Sequence, residues 1–148
     1  MITPAQLMET AFAHHQAGEF AEAESLYRAL IGTNSKDAKV LHLLGALQHQ
    51  KGNNGAAIAL IRRSLDIQET PEAWYNLGHV LRLENISDQA VLAWRQALVL
   101  QPNHRDAAFN LAKLINDIGQ VEPALQAWKN VVNIAPDFAL AWFNFGNA

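Results

Sequence analysis

PEAWYNLGHVLRLENISDQAVLAWRQALVLQPNH, Pro71 to His104, is followed by RDAAFNLAKLINDIGQVEPALQAWKNVVNIAPDF, Arg105 to Phe138, which repeats it in altered form over the same 34 residues. A fixed period of this length is the mark of stacked repeats. Two earlier phases fit the same template, 4–37 and 38–70, the second with one residue missing, and a fifth copy occupies 139–148.

What recurs is a set of sizes and turn formers. The eighth place of each copy holds Ala11, Gly45, Gly78, Ala112 and Gly146, and the twentieth holds Ala23, Ala57, Ala90 and Ala124. All are small enough to let two helix backbones approach. The twenty-fourth place is large and apolar (Tyr27, Ile61, Trp94, Trp128) and the fifteenth holds Gly18, Gly52, Asn85 and Gly119. Glycine and asparagine tolerate the left-handed conformation that ends a helix, so each copy is expected to be helix, turn, helix. Pro102 and Pro136 stand where a second helix must stop; Ser35 and Glu69 take that place in the first two copies.

This pattern resembles the tetratricopeptide repeat over 4–148, in four full copies and part of a fifth. The resemblance implies an all-α fold, a right-handed α-α superhelical solenoid forming a single array over 1–148, with the first helix of each copy on the concave face. A helix of about 13 residues spans about 20 Å, and one helical pair alone leaves an apolar face uncovered, which stacking buries.

Composition narrows the function. Half of the 148 residues are hydrophobic and 17% are charged, which suits a chain that buries a continuous core rather than a disordered one. No stretch approaches the roughly 18 apolar residues of a membrane span, and MITPAQLMETAF lacks the basic segment of a secretory signal; no membrane partner and a cytoplasmic location are the expectations. The absence of cysteine excludes disulfides and thiolate chemistry. With 11 basic against 14 acidic residues, nucleic acid is an unfavoured partner.

On the resemblance, the inward side of the first helices carries two lines of residues. His42, Tyr75, Phe109 and Phe143 recur at one place, and Asn76, Asn110 and Asn144 at the next. His79 and Lys113 lie beside them. An asparagine amide is both donor and acceptor, so a row of them can hold the backbone of an extended peptide without reading its side chains. At helix spacings of ~10 Å, successive asparagines meet such a peptide about every three residues. The row is similar to the asparagine ladder in the repeat domain of the O-linked N-acetylglucosamine transferases, and the strings HLLG and YNLG at His42 and Tyr75 resemble the repeats of their bacterial relatives. The competing reading assigns the amides to neighbouring backbone or solvent, and the aromatic line to packing.

Other chemistry is unfavoured. Six histidines, including His42 and His49 on one helix and His15 and His79 on flanking ones, come without an HExxH motif or an acidic ligand cluster. His14 and His104 read as surface residues, and Glu22 with Glu24 and Asp106 with Asp117 as solvated faces. There is no glycine-rich phosphate loop and no GxSxG elbow, so neither a cofactor nor catalysis is expected. Family members that clamp a terminal carboxylate use lysines and arginines at inner places that here hold His42, Asn76, Asp106 and Asn110, with aspartate where a lysine is wanted in the fourth copy. The sequence therefore points to a non-enzymatic scaffold for an extended peptide or partner protein. Two alternatives stand: the substrate-recruiting region of a longer enzyme such as a glycosyltransferase, and a self-assembling protomer joined through Trp142 and Phe145, which occupy packing places that a complete fifth copy would cover.

Overall fold

The computed structural model describes residues 2–34 and 36–148; Ser35, which replaces the first copy's terminal proline, lies outside the described residues. Nine helices form among them: α1 (Pro4–Ala17), α2 (Phe20–Thr33), α3 (Ala38–Gln50), α4 (Asn54–Ile67), α5 (Pro71–Leu83), α6 (Ser87–Leu100), α7 (Arg105–Asp117), α8 (Val121–Ile134) and α9 (Ala139–Asn147). Contacts divide the chain into two compact units, Met1–Glu69 and Thr70–Ala148. The division falls at the end of the second copy.

The turn inside each copy has the expected chemistry. Gly18, Gly52 and Gly119 take φ of 79°, 81° and 78°, and Asn85 takes 60°. In each turn the next residue donates its N–H five residues back (Glu19 to His14, Asn53 to Gln48, Ile86 to Leu81, Gln120 to Ile115), closing the orphan carbonyls of the first helix. The second helices accordingly start without a side-chain cap.

First helices start differently. Thr3 caps α1 with Gln6 returning the bond to the cap's own backbone, Asp37 accepts from the Val40 N–H of α3, and Thr70 from the Ala73 N–H of α5. His104 performs the same service for α7, its Nδ1 accepting from the Ala107 N–H at 3.3 Å. The last of these corrects the surface reading of His104, which is half-buried.

In the first unit α1 packs on α2, α2 on α3 and α3 on α4. Its core joins Ala11, Ala23, Tyr27, Leu30, Val40, Leu44 and Leu47. Ser64 is buried there with its hydroxyl donating to the Ala38 carbonyl at 2.7 Å, which is how a polar residue fills the twenty-seventh place otherwise held by Leu30, Ala97 and Val131. Glu24, read from sequence as part of a solvated face, sits between Lys51 Nζ at 2.5 Å and Arg28 at 2.7 Å. Those bonds, the one from Lys51 foremost, hold its carboxyl down at about 2.

In the second unit α5 packs on α6, α6 on α7, α7 on α8 and α8 on α9. Ala73, Ala90, Trp94, Ala97, Ala107, Ala112, Ala124 and Val131 are fully enclosed. The small residues do what their spacing implies: a Cβ added to Gly78 would stand 2.6 Å from Trp94 Nε1, and one added to Gly45 would stand 2.7 Å from Ile61 Cγ1.

Candidate functional site

The second unit carries three of the recurring pairs, Tyr75–Asn76 on α5, Phe109–Asn110 on α7 and Phe143–Asn144 on α9. All six side chains are half-buried except Phe143, which is 67% exposed. The rings of Tyr75 and Phe109 each lean on the residue that caps the next copy's first helix. Tyr75 stacks on His104 with ring centres 5.0 Å apart, and Phe109 meets Phe138 at 5.3 Å while standing edge-on to Trp128 at 5.4 Å. The aromatic line therefore has a packing role at Tyr75 and Phe109.

The asparagine line is tied to the aromatic one. Asn110 Nδ2 donates to the Tyr75 hydroxyl at 3.3 Å, bridging one copy to the next. An amide has two N–H donors and a carbonyl acceptor, so this bond uses one donor. Burial raises the Tyr75 hydroxyl above its ordinary value, the Asp106 charge adds to the rise, and the bond from Asn110 offsets part of it. Asn144 donates to the Leu140 carbonyl of its own helix at 2.9 Å, and Asn76 and His79 have interactions of their own. Lys113 is exposed and pairs with Asp117 at 2.9 Å, one turn along α7. In the first unit His42 stands half-buried on α3. His15 is 8% exposed, bonded through Nδ1 to the Tyr27 hydroxyl at 3.3 Å and edge-on to Phe20 and Tyr27; burial lowers its proton affinity. It is a core residue, not a groove one.

Beside Phe109 the second unit opens into a cleft of about 730 Å³ that reading by places did not reveal. Its walls are the starts of the first helices: Glu72 of α5, Arg105 and Asp106 of α7, and the caps His104 and Phe138. Gln101 and Asn103, from the turn before α7, complete it. Arg105 lies over the Phe138 ring, its guanidinium carbon 4.6 Å from the centre. Glu72 and Asp106 hold the same second place in successive copies, and His104 and Phe138 the same last place, beside the crowding of charge and amide in QPNHRD, 101–106.

At α9 one packing place is uncovered and another is half-buried. Trp142 and Phe145 correspond to Ala108 and Leu111 of the fourth copy, which are 2% and 7% exposed, whereas Trp142 is 50% exposed. Its indole N–H donates to the Pro136 carbonyl at 2.8 Å and its ring meets Phe145 edge-on at 6.1 Å.

Among the described residues no group of three or more His, Cys, Asp or Glu could hold a metal ion, and no helix is long and apolar enough to cross a membrane.

Comparison with known proteins agrees with this geometry. A tetratricopeptide repeat family model matches residues 14–78. The mouse protein O-mannosyl-transferase TMTC1 is 32% identical over 128 residues, 83% of this chain but only 14% of that protein's length. The crystal structure of MamA superposes with a TM-score of 0.89 at 21% identity, covering 97% of this chain and 79% of that one. That of YrrB, described as a tetratricopeptide repeat protein with an unusual peptide-binding site, has a TM-score of 0.85 at 21% identity, covering 98% and 75%. The chain is a tetratricopeptide repeat protein with the all-α solenoid fold of that family, a fold that serves generally as a protein-interaction scaffold.

Proposed function

We propose that this chain is a non-catalytic scaffold that holds an extended peptide, or an extended segment of a partner protein, along the first helices of its copies. The supporting observation is that Asn76, Asn110 and Asn144 recur at one place on α5, α7 and α9 and all remain half-buried, neither sealed in the core nor fully in water. Asn110 and Asn144 each spend one of two N–H donors on a bond within the chain, and the half-exposed aromatic line beside them offers apolar surface. The formal charge of −3 fits a reading without nucleic acid or anionic membrane as partner, and we propose the cytoplasm as its location. The test is selection of peptides from a displayed random library, followed by titration calorimetry against the parent and against Asn76→Ala combined with Asn110→Ala. Two lost hydrogen bonds at about 1 kcal/mol each weaken binding about 10- to 30-fold. A library that returns no binder, or a double variant that binds as well as the parent, overturns the proposal.

A second reading, in which the same face recruits protein substrates for a glycosyltransferase, is favoured by the likeness to the O-mannosyl-transferase over 83% of this chain. It predicts that selected peptides become better acceptors when the array is fused to such an enzyme than when the two are mixed. Self-assembly through Trp142 and Phe145 is a further proposal, to which the exposure of Trp142 lends support while Phe145 beside it is half-buried.

A further inference from the structure

Among the described residues α7 is the one helix whose start is capped by an imidazole. Thr3, Asp37 and Thr70 cap α1, α3 and α5 through side-chain oxygens, which stay acceptors with or without an added proton. His104 instead uses Nδ1, 3.3 Å from the Ala107 N–H. A backbone N–H only donates, so this bond fixes His104 as the neutral ring with its proton on Nε2. We infer that His104 makes the groove acid-sensitive: on gaining a proton it uncaps α7 and loosens the helix that presents Phe109 and Asn110. The inference rests on the peptide-binding reading and adds regulation to it, with His104 as a positioning residue.

The argument is local. A protonated imidazole carries an N–H on both nitrogens and has no lone pair to offer, so Nδ1 would meet Ala107 donor to donor. The added charge also stands at the amino-terminal end of α7, the positive end of the helix dipole. Around the ring, the charged groups on the cleft walls are Glu72 of α5 and Arg105 and Asp106 of α7, joined by the uncharged Gln101, Asn103 and Phe138. The two carboxylates are offset by Arg105 and the helix ends, so no strong net field decides the matter and the contact with Ala107 does. The Tyr75 ring, stacked at 5.0 Å, attracts a cation. A half-turn of the imidazole keeps that stack but puts a carbon where Nδ1 was, so the cap is not restored. Asn110 lies one turn into α7 and is tied to the Tyr75 hydroxyl, and a frayed helix start reaches it directly.

The test follows the full chain, labelled with nitrogen-15 and carbon-13, by NMR from pH 8 to pH 5.5, the range in which imidazoles change charge. The Ala107 amide should shift with the midpoint of the His104 ring, and its protection from hydrogen exchange should fall about fivefold. The Val40 and Ala73 amides, held by Asp37 and Thr70, should keep theirs. His104→Asn retains a capping side chain that does not titrate and should hold the Ala107 protection level. Peptides selected at pH 8 should bind the parent about threefold more weakly at pH 5.5, and that loss should shrink in His104→Asn, which leaves His79 and the other histidines in place. An Ala107 amide that ignores the His104 midpoint, equal losses at all three amides, or an unchanged loss in the variant overturns the inference. Peptides that bind equally well at both pH values while Ala107 responds leave the groove standing and overturn its regulation. Where no peptide binds, the peptide reading fails by itself and the Asn110 side-chain amide decides: it moves with the His104 midpoint if the inference holds and stays still if it does not.

Discussion

Replacing Gly78 by alanine adds one methyl group at the closest approach between α5 and α6. The new Cβ would lie 2.6, 2.7 and 2.9 Å from Nε1, Cδ1 and Cε2 of Trp94, which is wholly buried. Ordinary contact begins near 3.4 Å, so the indole must retreat by roughly 0.8 Å, and it does so against a packed core. The retreat also stretches the bond from Trp94 Nε1 to the Tyr75 carbonyl, now 3.1 Å, out of hydrogen-bonding range. The fourth copy shows the outcome in advance: Ala112 stands where Gly78 does, and Nε1 of its Trp128 is buried with no hydrogen-bond partner among the described residues. Overpacking costs about 1–3 kcal/mol and the lost bond about 1 kcal/mol, offset by about 1 kcal/mol from the better helix propensity of alanine. The net is a loss of about 1–3 kcal/mol, or about 5–20 °C in melting temperature for a unit of this size. Scanning calorimetry of the full chain measures it, with Gly32→Ala as the control. Gly32 is exposed on α2 and its added Cβ meets nothing within 4 Å, so that change should hold or raise stability by up to about 1 kcal/mol. Gly78→Ala melting at or above the parent temperature refutes the reasoning.

Ala90→Leu and Ala124→Leu, each at a fully buried twentieth place, should each destabilise by about 1–3 kcal/mol in urea unfolding; an unchanged midpoint would contradict the helix contact. Glu24→Gln should cost about 1 kcal/mol at neutral pH, a figure kept small because Arg28 is exposed and surface pairs are weak. The folded carboxyl, at about 2, lies below its unfolded value near 4.5, so its stabilisation is full above pH 4.5 and lost as pH falls toward 2. Parent and variant should therefore converge in acid, and a difference that persists at pH 2 would rule the ion pairs out as its source. Trp142→Ser should reduce concentration-dependent association in light scattering, and a parent that stays monomeric at high concentration removes self-assembly from the readings.

The fold was legible because its determinants are local and repeated. A small residue at the eighth or twentieth place and a left-handed turn at the fifteenth each answer to one physical demand, and four copies state that demand four times. Gly18, Gly52, Asn85 and Gly119 have the predicted backbone, and Ala11, Ala23, Ala57, Ala90, Ala112 and Ala124 are wholly buried. What escaped lies outside the repeat. Glu24 reaches Lys51 across 27 positions, a pair with no counterpart in other copies and hence no periodic signal. His104 caps α7 through a ring nitrogen, a role that sequence assigns first to serine, threonine, aspartate and asparagine.

The candidate site is legible in the sequence as two lines of residues but not as a surface. Reading by places shows which residues share a face; it does not show that Tyr75 leans on His104 and Phe109 on Phe138, because those partners belong to the loops between copies. The two competing readings of the aromatic line are consequently not exclusive. Packing Phe109 against Trp128 and Phe138 fixes the ring that borders the cleft, and the bond from Asn110 to Tyr75 fixes the amide beside it. A groove built from side chains already held by their neighbours gives up less conformational entropy on binding than one built from free side chains. On the proposed function, the contacts that argue for a structural role at Tyr75, Phe109 and Asn110 are also those that would preorganise them to receive a peptide.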